Sequence, residues 1–111
     1  MFHIRLTALA LALAAGGAAQ AQDTQAARLD SQRMFPSGET AFQKVCARCH
    51  TGREDAVGPD LTANEYDVET LRHFVRHGSG PMPAFTESMV DSASLDEIAA
   101  YLAARHKEAA Q

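Results

Sequence analysis

Two thiols and an imidazole fall within five consecutive positions, Cys46-Ala47-Arg48-Cys49-His50. Cys-x-x-Cys-His is the attachment pattern of a c-type haem. The spacing has a mechanical reason. Thiols three positions apart on one helical turn can each add to a haem vinyl group, and the adjacent imidazole is then held against the iron. A dithiol permits other chemistry. A thioredoxin-like disulfide calls for a βαβ pattern, which the chain lacks. Half of a zinc site would need His73 and His77 to complete it, because there is no second cysteine pair at zinc spacing. A coincidental pair is the third alternative.

An iron bound by one histidine takes a sixth ligand or stays open to gas or peroxide chemistry. Met82 is the leading candidate for that ligand. It lies between Pro81 and Pro83, 32 residues beyond His50, and two prolines forbid a regular helix there. A stiff loop of this kind holds a thioether without help from packing. Met34, Met89, His73 and His77 are the other candidates. A lone methionine more often fills a gap in a core. His73 and His77, four positions apart, would share one exposed helical face. His106 would be a favourable charge near a helix end.

The elements that must position these groups are helical. Ser37 can cap a first helix, with Glu39 in its first turn and Ala41, Phe42 and Val45 on one side. That helix runs into the Cys46–His50 motif, and Thr51-Gly52 then breaks it. A loop over residues 53–64 carries Gly58-Pro59. Asp67 can cap a middle helix whose stripe is Val68, Leu71 and Val75, ended by Gly78. An extended loop over residues 79–93 presents Met82. A last helix is expected from Ser94, with Glu97 completing a capping box and Leu95, Ile98 and Leu102 facing inward. No window alternates apolar and polar positions with β-branched residues, so no sheet is expected. There is no internal repeat.

The chain opens with a weakly basic start, Met1 to Arg5, then an apolar run, Leu6 to Ala15, then Ala19-Gln20-Ala21. This order predicts a cleaved secretory signal over residues 1–21. Its apolar run is short of the roughly 20 residues that span a membrane. The expected destination is the periplasm, with no membrane span after cleavage. Residues 22–36 are polar and rich in alanine and glutamine without a sustained period, as in an arm or linker that Phe35 docks onto the domain. The domain itself is expected over residues 37–106, with a tail over 107–111.

After Ala21, leucine, isoleucine, valine and phenylalanine supply only 15 of 90 residues. A domain of this size buries only about 60 per cent of its unfolded surface. Such a thin core calls for a staple, and a covalent haem would supply one. Ten basic against fourteen acidic residues leave a net charge of −4. With no basic run, nucleic acid is excluded as a partner. A basic docking face on a soluble partner suits this charge.

The signal, Cys46-Ala-Arg-Cys49-His50, Val57-Gly58-Pro59-Asp60-Leu61 and Gly80-Pro-Met82-Pro-Ala-Phe85 together resemble the small class I c-type cytochromes, over about Ser37 to Ala104. The resemblance implies an all-α fold, three main helices wrapped around one covalently bound haem c. It implies thioethers at Cys46 and Cys49, proximal iron ligation by His50 and distal ligation by Met82. It further implies that the Pro59 carbonyl orients His50, a contact beyond the ligand itself. Gly38 and Phe42 of the first helix match the positions that pack on an aromatic of the last, here Tyr101. The stretch Leu71 to Leu102 is similar to the cytochrome subunits of the 4-cresol dehydrogenase and eugenol hydroxylase group. There a flavoprotein oxidises a 4-alkylphenol and passes electrons on.

The expected function is single-electron transfer, with no residue serving as acid, base or nucleophile. The protein is then not an enzyme by itself but the partner or subunit of one. A flavoprotein or quinoprotein dehydrogenase is the expected donor, and a downstream carrier or terminal oxidase the acceptor. Val57, Leu61, Leu71, Val75, Phe85, Ile98 and Leu102 are the expected apolar pocket. The rival classes are an open-site haem sensor and a thiol–disulfide oxidoreductase.

Overall fold

The computed structural model describes residues 17–111. Four helices follow in chain order: α1 (Gly17–Gln32), α2 (Gly38–Ala41), α3 (Val68–His77) and α4 (Ser92–Ala109). A π turn, Phe42–Cys46, continues α2. Among the described residues, pairing of extended backbone is confined to one isolated bridge, Ser79 to Met82. The fold is all-α, as expected.

The arm expected over residues 22–36 is helical as far as Gln32. Alanine, glutamine and arginine favour helix by propensity, which a search for an apolar stripe does not register. The expected leader lies outside the described residues up to position 16, and residues 17–21 open α1.

Two helix starts follow the local capping chemistry. Ser37 Oγ accepts from the Thr40 N–H at 3.1 Å, and Asp67 Oδ1 accepts from the Thr70 N–H at 2.8 Å. Gly78 ends α3 in the left-handed region, at φ 73°. The last helix differs from expectation. It begins at Ser92 under an Asp91 cap, whose Oδ1 accepts from the Ser94 N–H at 2.9 Å. Glu97 forms an ion pair with Arg33 at 3.1 Å instead of closing a capping box. Two capping signals overlap here, and the charged one wins. A carboxylate gains from the helix dipole, and the second oxygen of Asp91 also receives the Met34 N–H at 2.8 Å and the Ser94 hydroxyl at 2.6 Å. The cap therefore also fastens the segment that leads in from α1.

Burial is the largest single influence on the Asp91 carboxyl and works against its ionisation. The hydrogen bonds from the Ser94 hydroxyl, the Ser94 N–H and the Met34 N–H together outweigh it and hold the group below its ordinary value of 3.8. A depressed carboxylate stabilises the fold above its ordinary value and loses that contribution as pH falls through the folded value. Asp91→Asn keeps one capping oxygen but loses the charge. The variant is expected to be less stable at neutral pH and to show a shallower loss of stability from pH 5 down to pH 2. Urea midpoints across that range check this.

The core holds Ala41, Phe42, Leu71, Val75, Val90, Leu95, Ile98 and Leu102. α2 crosses α4 at Gly38, where a Cβ would stand 2.0 Å from the Glu97 carbonyl oxygen. One turn on, the Phe42 and Tyr101 rings pack with centroids 5.5 Å apart. Arg72 of α3 reaches Asp96 of α4 at 2.7 Å. His106 does more than favour a helix end: its Nδ1–H donates to the Thr62 carbonyl at 2.8 Å, tying the long loop to α4.

Candidate functional site

The dithiol motif leaves the helix through the π turn, in which the Ala47 N–H reaches back five residues to the Phe42 carbonyl at 2.8 Å. The expected first helix is therefore α-helical only over its first turn. Wide turns of this kind recur at functional sites because they re-aim the side chains that follow. The chain then tightens around Cys46, whose carbonyl accepts from the Cys49 N–H at 3.1 Å and the His50 N–H at 2.9 Å. The result is a compact knot that turns Cys46, Cys49 and His50 towards one cavity.

That cavity holds about 370 Å³, within the range of small-molecule and cofactor sites. Cys46, Cys49, His50 and Met82 are all on its wall, from four positions that the sequence spreads over 37 residues. So are Val57, Leu61, Leu71, Val75, Phe85, Ile98 and Leu102, the whole of the expected pocket. Sequence reasoning missed Val45, Tyr66, Phe74, Val90 and Leu95, which also line it. Leu95 and Ile98 sit three apart, so the α4 stripe already carried the signal for Leu95. Val57 and Phe74 stand at 67 and 43 per cent exposure, which puts them at the mouth.

The imidazole is oriented by its neighbours. His50 Nδ1 lies 2.7 Å from the Pro59 carbonyl oxygen. A carbonyl can only accept, so Nδ1 carries the proton and Nε2 keeps its lone pair for a metal. Gly58 makes this approach feasible. A Cβ there would stand 2.5 Å from His50 Cε1, and the Gly58 N–H donates to the Cys49 carbonyl at 2.9 Å. Asp60 stiffens the same loop by accepting from the Thr62 N–H and hydroxyl, and those bonds lower its pKa.

The methionine loop is equally constrained. Met82 and Ser79 exchange both backbone hydrogen bonds at 3.0 Å. Gly78 admits the loop, since a Cβ there would meet the Met82 carbonyl oxygen at 2.6 Å. Met34 and Met89 are exposed and off the cavity wall. His73 and His77 are likewise outside it, on the solvent face of α3, with rings stacked at 4.6 Å. Among the described residues no group of three or more histidine, cysteine or acidic side chains is arranged to hold a metal ion.

Burial pushes the Cys46 thiol up to about 11. The thiolate is the reactive form, so burial disfavours Cys46 as a redox nucleophile. A flat apolar group fits the cavity better than an ion does: the wall is carbon, with two thiols, one imidazole lone pair and one thioether set into it.

The family described as "Cytochrome C oxidase, cbb3-type, subunit III" matches residues 33–102. The chain belongs to the class I c-type cytochromes. The cytochrome is 40% identical over 85 residues to the "4-cresol dehydrogenase [hydroxylating] cytochrome c subunit" of Pseudomonas putida, covering 77% of this chain and 73% of that one. It is 33% identical over 75 residues to cytochrome c6 of Bryopsis maxima, covering 59% and 84%. Over 76 residues it is 33% identical to cytochrome c6 of Tetradesmus obliquus, covering 60% and 81%. No solved structure matches it. The cytochrome is an electron carrier related to these proteins, and its family implies haem c. No described helix is long and apolar enough to cross a membrane.

Proposed function

We propose that the protein is a periplasmic carrier of single electrons with one covalent haem c. It takes electrons from a flavoprotein dehydrogenase that acts on 4-alkylphenols. Residues 1–21 are removed on export, residues 22–36 form the arm, residues 37–106 hold the haem, and 107–111 are a tail. The observation that carries this reading is the convergence of Cys46, Cys49, His50 and Met82 on one apolar cavity. The choice of donor rests on the relative named as a subunit of 4-cresol dehydrogenase.

Bound haem c supplies the one-electron couple. Cys46 and Cys49 would tether it through thioethers. His50 presents Nε2 because the Pro59 carbonyl occupies Nδ1. Met82 offers a thioether sulfur, a weak donor that favours the reduced state and raises the potential. The aliphatic wall excludes water, which disfavours added charge and acts in the same direction. Arrival at the partner is steered by the acidic surface, so the association rate falls as salt rises.

The test is to express the full chain with a haem-attachment system, take its mass, and record spectra after denaturing extraction of loose haem. The expected product begins at Gln22 and retains one haem per chain. Haem lost on extraction would overturn covalent attachment, and a chain with no haem would return the dithiol reading. Co-purification with a flavoprotein supports the subunit. The relatives named only as cytochrome c6, with no enzyme in their names, leave room for a second reading, a free shuttle; a quinoprotein dehydrogenase or terminal oxidase would then be its partner. In that case the protein runs alone on gel filtration in the presence of the flavoprotein.

A further inference from the structure

The loop that carries Met82 leaves α3 at Gly78 and rejoins regular structure at α4. Its first half is held by the Ser79–Met82 exchange. Its second half has no ladder and no helix; it is folded by a turn in which the Thr86 carbonyl accepts from the Met89 and Val90 N–H groups at 3.0 Å, and one side chain ties that turn to α3. Arg76, in the last turn of α3, is 18 per cent exposed. Its Nη1 donates to the Phe85 carbonyl at 3.1 Å and to the Val90 carbonyl at 2.9 Å. Its Nη2 donates to Glu87 Oε1 at 2.7 Å and lies 3.5 Å from Ser92 Oγ. Glu87 in turn accepts from the Ser92 N–H at 2.8 Å and the Ser92 hydroxyl at 2.6 Å, at the first residue of α4. Phe85 is pinned a second time, by its own N–H to the Val75 carbonyl at 2.7 Å.

We propose that Arg76 is the positioning residue for Met82, clamping residues 85–92 to α3 so that the methionine sulfur stays on the cavity wall. The inference rests on the reading of Met82 as an iron ligand. Only two residues, Pro83 and Ala84, separate Met82 from the clamped Phe85, and Pro83 stiffens that link by fixing its φ. A guanidinium suits the task because its fixed fork serves two carbonyls from one nitrogen and a carboxylate from the other, a spread that the single nitrogen of an ammonium lacks. Hydrogen bonds from a charged donor are also the stronger kind. Without Arg76, the Phe85 and Val90 carbonyls lose their shared donor. The loop can then swing outward, and an external base can compete for the iron.

The experiment compares Arg76→Gln, Arg76→Lys, Glu87→Gln and Arg72→Gln in the haem-loaded full chain. Imidazole binding to the ferric protein and amide exchange over residues 79–90 are read together. Arg76→Gln is expected to raise imidazole affinity by about tenfold, the scale of one lost charge-assisted hydrogen bond. It should also speed exchange in 79–90 relative to 92–109. Arg76→Lys is expected to rescue only part of this, and Glu87→Gln to show the same sign at smaller size. Arg72 joins α3 to Asp96 and does not touch the loop, so Arg72→Gln controls for general destabilisation. Equal imidazole gains in Arg72→Gln and Arg76→Gln would overturn the clamp. So would unchanged exchange and affinity in Arg76→Gln. If that variant does not fold, Glu87→Gln decides: no gain in affinity or exchange there also overturns it. Failure of the ligand reading is distinguishable, since Met82→Ala would then leave imidazole affinity unchanged.

Discussion

Met82→Ala is expected to abolish the far-red absorption band of the ferric protein, to open the iron to carbon monoxide and imidazole, and to lower the reduction potential. On the proposed ligation the thioether is the ligand that favours the ferrous state. Its loss leaves water or nothing in that position. Axial ligands move haem potentials over roughly 0.8 V, and a fall on the order of 0.1 V is expected here. The fold should survive. Met82 is only half-buried, and its loop stays fastened by the Ser79 exchange and by Phe85. Met89→Ala is the matched control, because Met89 is exposed and off the cavity wall. Optical spectra, ligand titration and potentiometry of both variants check the result. A far-red band that persists in Met82→Ala would assign the sixth position elsewhere.

Gly38→Ala is expected to destabilise the protein by about 3 kcal/mol or more, at the upper end of overpacking. The added methyl would stand 2.0 Å from the Glu97 carbonyl oxygen, 2.4 Å from its carbon and 2.9 Å from the Ile98 nitrogen. All three atoms are α4 backbone, so no rotamer change relieves the clash. Relief requires α2 and α4 to move apart, which loosens Phe42 from Tyr101 and unseats Ala41. The helix-propensity gain of alanine over glycine is at most about 1 kcal/mol, and Gly38 is the first residue of its helix, where the gain is smaller. Against a total stability of about 5–15 kcal/mol, the loss is large, and a domain with so thin a core has little reserve. Urea denaturation of the haem-loaded protein measures it. A loss under 1 kcal/mol would show that the two helices can separate freely.

Both variants touch residues visible in the sequence, but for different reasons. Met82 could be singled out because two prolines flank it, and proline geometry is local. Ser37, Asp67 and Gly78 were legible in the same way, since capping and left-handed termination involve only near neighbours. The pocket lining was legible through helical stripes: Leu71 with Val75, and Ile98 with Leu102. Gly38 was visible only through the family resemblance, because nothing in its local sequence says that another backbone approaches it. The α4 start was misread for a related reason. Asp91 and Ser94 both suit a cap, and the choice turns on the Met34 N–H, 57 residues away in sequence.

The sequence by itself determined the helical class, the acidic charge balance and the Cys46–His50 motif, with Met82 marked out by its flanking prolines. Each of these follows from composition or from neighbours within a turn or two. The tertiary structure alone decided the π turn, because local propensity does not distinguish a four-residue from a five-residue reach. It also decided the roles of three side chains whose partners are remote in sequence. Arg76 looked like any basic residue in a last helical turn until two loop carbonyls came within its reach. His106 looked like a charge at a helix end until the Thr62 carbonyl met it. Phe74 lies outside the Val68, Leu71 and Val75 stripe, yet it stands at the cavity mouth, 43 per cent exposed. Such contacts join segments that only folding brings together, so no window of sequence contains them.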